Sequence, residues 1–397
     1  MKSIRRTALS LGLVAIVLAL LEPAHNARAA TNIYIRDVPD YQWDYACMGT
    51  AAGNLMGYWD RHGFPDFYTG TVNGGVAPLN SYGLNSGITS LWASKAGVDG
   101  LPTNKPGHVD DYYVEYSSTS PDPYVTAGRP EHAPDCIGDF IGMDQFKWTN
   151  MCNECDGNID GFCFVSWDPS GQKRLNHVPD PTAGEPDVDV QSGLRAWARY
   201  RGYDADVFTQ LTDFNPNTTP GQGFTFADMQ AEINAGYPVL LFLQSFYEMS
   251  QSIGSAANVN PEIHSMLAYG YYIDGGGTKW IRFRTSWASG DNSMKVWNAD
   301  AWSDVGLPIR GVIGFHPLPK IRRCSVTNGN MTLLWDGPAA DLYNGSTTTR
   351  VHGYVVEMSA TCSPPDFQPV STVLLTNSYT ITNCPSPAYL RLKLVRP

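Results

Sequence analysis

The chain has 397 residues and a formal net charge of −11; 43% of its residues are hydrophobic and only 16% charged. An acidic chain without a basic run offers no electrostatic footprint for nucleic acid or anionic lipid. Its length calls for two or more domains, and its many Gly, Pro, Tyr and Trp residues fit a loop-rich exported protein better than a helical cytosolic one.

The N-terminus sets the expected compartment. Lys2, Arg5 and Arg6 precede an apolar run over residues 8–21, and Ala27-Arg28-Ala29 supplies an A-x-A cleavage site. Residues 1–29 are therefore predicted to be a signal peptide, leaving a secreted or periplasmic chain from residue 30. No later stretch is long and apolar enough for a membrane span. Eight cysteines in an exported chain raise the expectation of disulfides.

Residues 37–60 carry the most informative segment. An extended entry, Asp37-Val38-Pro39, leads through Gln42 to Cys47. After it Ala51, Leu55, Tyr58 and Trp59 recur at helical spacing. This places Cys47 in the first turn of a largely buried helix, where unpaired N–H groups and the macrodipole favour a thiolate. Gln42, in the turn entering the helix, can aim its amide at a carbonyl oxygen attacked by Cys47. With the cysteine's own N–H it would form an oxyanion hole.

Residues from about 62 to 188 are rich in Gly, Pro, Asp and Asn and weakly periodic, as expected of an insertion covering one face of a smaller scaffold. Within it, Asp156, Asn158 and Asp160 with Gly161 match the opening of a calcium loop, although Trp167 stands where the closing acid belongs. An Asx-rich surface turn is the competing reading. Cys136, Cys152, Cys155 and Cys163 surround this loop and are expected to staple the insertion rather than bind zinc. His108, His132 and Asp135 lie in the same stretch without assigned chemistry.

Residues 190–316 read as helix, helix and several strands. Phe224–Gly236 reads as a capped amphipathic helix ending at glycine. Residues 237–243, 264–272 and 280–283 read as strands, and His264 opens the second of them. A histidine there faces whatever packs at the sheet edge, so His264 is the candidate base for Cys47.

Residues 37–60 with 224–290 resemble the bacteriocin-processing (double-glycine leader) peptidase-like branch of the papain-like cysteine peptidases. The resemblance implies Cys47 as nucleophile, His264 as general base and Gln42 as oxyanion residue. The family follows its cysteine with glycine, whereas Met48 stands here. It orients its histidine with Asp or Asn before a small dipeptide ending in Trp. The matching stretch, Arg284-Thr285-Ser286-Trp287, puts Thr285 in that place. A threonine hydroxyl can accept from the imidazole but lends it no charge. Asp274, Asp291 or Asn292 could serve instead.

Pro317, Pro319 and the basic Lys320, Arg322 and Arg323 read as a linker to Cys324. Beyond it, residues 331–335, 351–358, 372–376, 378–382 and 389–395 alternate as short strands, resembling a fibronectin type III-like β-sandwich stapled by one disulfide among Cys324, Cys362 and Cys384.

The sequence thus points to an α+β chain: a papain-like domain over residues 30–318 and a sandwich over 324–397. The expected function is hydrolysis of a peptide or related amide bond in a peptide or protein substrate. No cofactor is required, calcium is a possible structural ion, and the sandwich could engage a cell-surface or extracellular ligand. Two alternatives stand beside it: a non-catalytic binding or surface-attachment protein on the same scaffold, and an amide transferase in which an amine intercepts the acyl-enzyme.

Overall fold

A computed structural model describes residues 30–41, 47–68, 76–80, 134, 136–142, 164–183, 185, 188–244, 264–287, 293–298, 307–338 and 352–395. The predicted signal peptide, Gln42, the calcium motif of Asp156, Asn158 and Asp160, and Asp291 and Asn292 lie outside them. So do His108, His132, Asp135, Cys152, Cys155 and Cys163.

The architecture is mixed helix and antiparallel sheet. One sheet gathers β1 (Thr31–Tyr34), β2 (Arg174–Leu175), β3 (Ala205–Leu211), β4 (Val239–Leu243), β5 (His264–Ile273), β6 (Lys279–Arg284), β7 (Ser293–Val296) and β8 (Ile309–Pro317). Its order is β2-β3-β8-β4-β5-β6-β7, with β1 added beside β5. The central strands β4 and β8 are buried along their whole length; β4 is a continuous apolar run, whereas β8 also buries Arg310 and His316. Strand β5 is long enough to take two partners on one edge. Its first half pairs with β4, from Leu243↔His264 to Val239↔Ala268, and its last four residues with β1. Strand β6 occupies the other edge.

Four helices accompany the sheet among the described residues: α1 (Cys47–Arg61), α2 (Ile137–Ile141), α3 (Val190–Tyr200) and α4 (Phe226–Asn234). Helix α1 starts on Cys47, and every residue from Met48 to Asp60 is buried against β5, β4 and α2. Small residues let its surroundings approach closely. At Gly57 a Cβ would stand 2.4 Å from the Tyr41 hydroxyl oxygen, so only glycine admits that ring. Helix α4 begins with a capping box between Thr225 and Asp228 and leads to Gly236 at φ 81°. Strand β3 lies between α3 and α4, where the sequence reading had no strand. Tertiary pairing with β8 rather than local pattern makes it one.

The insertion is partly structured. The Cys136 sulfur caps α2, accepting from the Asp139 N–H at 3.4 Å. Residues 166–167 cross the sheet, where Trp167 packs into the space left by Gly311: a Cβ there would lie 2.6 Å from the indole.

The C-terminal region holds two three-stranded antiparallel sheets. One runs β13 (Ser378–Ile381), β10 (Asn330–Asp336), β9 (Lys320–Thr327); the other β12 (Gln368–Pro369), β11 (Gly353–Ser359), β14 (Tyr389–Val395). Leu333, Trp335 and Ile381 of the first share a core with Tyr354 and Val356 of the second, and the Trp335 and Tyr354 rings meet edge-on at 5.4 Å. The 372–376 segment is no strand; only Leu374 bridges to Tyr354.

The basic residues read as a linker belong to β9 itself, because Asn328 and Gly329, both at positive φ, form a two-residue turn that folds β9 onto β10. Only Leu318 and Pro319 separate β8 from β9. The joint is held firmly. Arg322 pairs with Asp66 and Asp336, the Tyr203 hydroxyl donates to Asp336, and the Gly337 N–H donates to the Gly63 carbonyl. Cys324, Cys362 and Cys384 are free thiols here, so the expected staple is not formed in this structure. No helix among the described residues is long and apolar enough to cross a membrane.

Candidate active site

Cys47 is the first residue of α1, at the helix end whose N–H groups lack intrahelical acceptors. The backbone N–H groups of Cys47 and Met48 face its sulfur, and so do the N–H and hydroxyl of Ser265. Ser265 follows His264 at the start of β5. The packing of α1 on β5 therefore brings the candidate nucleophile to the strand end that carries the candidate base.

His264 is 2% exposed. Its Nε2 lies 2.7 Å from the backbone carbonyl of Thr285, just past the end of β6. A carbonyl only accepts, so Nε2 carries the hydrogen and Nδ1 keeps the lone pair a base needs. The Thr285 hydroxyl is engaged elsewhere, accepting from the Trp287 N–H at 3.2 Å. This corrects the expectation that the hydroxyl orients the ring. The chain turns at Ser286, held at φ 63°, and the turn consumes the hydroxyl while presenting the carbonyl. It also lays the Trp287 indole over His264, with centroids 4.6 Å apart and planes 16° apart.

Asp274 is excluded as the histidine's partner. Its carboxylate accepts from the Gly276 and Thr278 N–H groups in the β5–β6 turn, ten residues and about 33 Å along the strand from His264.

The electrostatics differ from the dipole argument. Burial raises the Cys47 thiol pKa, and the hydrogen bonds from Ser265, Met48 and Cys47 itself offset this only in part. Burial also pulls His264 down to about 4, against which the Thr285 carbonyl pushes weakly. Both shifts favour a neutral thiol and a neutral imidazole over a preformed thiolate–imidazolium pair.

Two further groups frame the site and carried no signal in the sequence. Asn54, buried in α1, accepts from the Tyr41 N–H at 2.8 Å and fixes the entry segment where it leads to Gln42. Arg284, the last residue of β6, donates to the Val38 carbonyl at 3.1 Å and pairs with Asp40 at 3.4 Å, its guanidinium 4.6 Å from the Tyr269 ring. It thereby ties the loop orienting His264 to the entry segment. No cluster of His, Cys, Asp and Glu among the described residues is arranged to hold a metal ion.

No protein-family model matches the chain, and no curated protein or solved structure matches it.

Proposed function

We propose that the protein is a secreted papain-like cysteine hydrolase acting on peptide or related amide bonds. One observation carries this reading: a cysteine opening a buried helix lies against the strand start where a histidine has its Nε2 held by a backbone carbonyl and its Nδ1 left as acceptor.

Because the resting pair is neutral, the thiol proton moves to His264 Nδ1 as Sγ attacks the carbonyl carbon, rather than before. The S–C bond forms, and the oxyanion is held by the Cys47 N–H together with Gln42. The tetrahedral adduct collapses with cleavage of the C–N bond, the leaving amine taking the proton from His264. Water, deprotonated by His264, then releases the acid and restores the thiol.

A second reading, a papain-like binding protein without turnover, draws support from the same neutral pair, which lacks an activated thiolate. Hydrolysis of a mixed peptide library, followed by mass spectrometry, separates the two. The hydrolase cleaves, and both Cys47→Ala and His264→Ala abolish cleavage. Cleavage that survives Cys47→Ala contradicts the proposal, and a wild type that cleaves nothing moves the reading to the binder.

A further inference from the structure

Ser265 is 1% exposed, and its hydroxyl makes no hydrogen bond of ordinary geometry among the described residues. A buried hydroxyl without a partner is costly and needs a reason. Ser265 pairs in register with Phe242 of β4, an entirely apolar strand, so no side chain from that neighbour can satisfy it. What it does lie beside is the Cys47 sulfur, which its N–H and its hydroxyl oxygen both approach. The contact falls short of a full hydrogen bond to the resting thiol, a weak acceptor. A hydroxyl is a rotor, however, and a thiolate is a strong acceptor.

Resting on the hydrolase reading, we propose that Ser265 is a positioning residue whose hydroxyl turns to donate to Cys47 Sγ as negative charge develops there. In a dry site with a neutral histidine, this donor and the helix N–H groups supply the stabilisation that a preformed ion pair would otherwise give. The charged and titratable groups of the surrounding elements leave that role open. On β5 there are His264, neutral at working pH, and Tyr269, Tyr271 and Tyr272 further along the strand; β4 carries none; α1 carries none between Cys47 and Tyr58, about three turns on. Buried Asp139 caps the start of α2, and Arg284 at the end of β6 is engaged with Asp40.

The test is the pH profile of Cys47 alkylation by iodoacetamide, read by peptide mapping in the full-length protein. Ser265→Ala is expected to raise the midpoint by about one pH unit, which slows labelling about tenfold below it. It should also lower kcat by about tenfold while leaving KM in place. Ser265→Thr keeps the hydroxyl and should restore most of both. An unchanged midpoint in folded Ser265→Ala overturns the inference while leaving Cys47 as nucleophile. Equal shifts in the Ala and Thr variants assign the effect to packing and overturn it as well. If Cys47 resists alkylation in the wild type across the pH range, the nucleophile reading itself fails and takes the inference with it.

Discussion

The two ends of α1 are built from opposite materials. At its start, Cys47 meets Ser265, the residue after His264, in a setting made of N–H groups, one hydroxyl and one carbonyl, where burial disfavours charge on both Cys47 and His264. Past its end, Asp66, Arg322, Asp336 and Tyr203 form a charged network that locks the C-terminal sheets onto the core. The difference shows where burial is allowed to set chemistry. Desolvation moves the pKa values of the first end; in the second it also raises the Tyr203 hydroxyl, but Arg322 and Asp66 remain about half exposed and solvent screens their attraction.

The largest contrast between buried and screened charges lies in Asp40 against Asp66. Asp40→Ala leaves the Arg284 guanidinium, 17% exposed, without its carboxylate. Breaking such a pair costs about 3 kcal/mol, or a melting temperature lower by on the order of 6–10 °C. Asp66→Ala, which removes only the half-exposed partner of Arg322, should cost about 1 kcal/mol or less. Differential scanning calorimetry of both variants checks the order, and equal losses would remove the distinction between the two ends.

A smaller effect follows from His264. Its folded value near 4 lies below the ordinary histidine value of 6.5. Above pH 6.5 the imidazole is neutral in both folded and unfolded chains, and its contribution is complete. As pH falls from 6.5 to 4 the unfolded chain takes up a proton that the folded one refuses. Stability is lost over that window, by on the order of 3 kcal/mol. Urea unfolding at pH 7 and pH 4.5 should show a steeper acid loss in wild type than in His264→Gln. Parallel losses would mean that the histidine is protonated in the fold.

Much of the scaffold could be read from local pattern. The helix that carries Cys47 in its first turn, the strand that carries His264 and the Thr225–Asp228 cap all follow from periodicity and capping chemistry that neighbouring residues carry. What escaped was carried by backbone or by distance. The Thr285 carbonyl orients His264, and a carbonyl has no residue signature. Ser265 acquires its place only when α1 packs on β5, and Arg322 meets Asp66 across 256 positions. The Asn328-Gly329 turn was legible, but the basic residues before it drew the linker reading instead of a strand.

The most direct test of the central claim is covalent trapping with an electrophilic peptide ketone, with the adduct located by peptide mapping. The account predicts one adduct, on Cys47, forming at least tenfold more slowly in His264→Ala although iodoacetamide still reaches Cys47 in that variant. An adduct on Cys324, Cys362 or Cys384 with Cys47 untouched, or an equal rate without His264, would contradict a Cys47–His264 hydrolase.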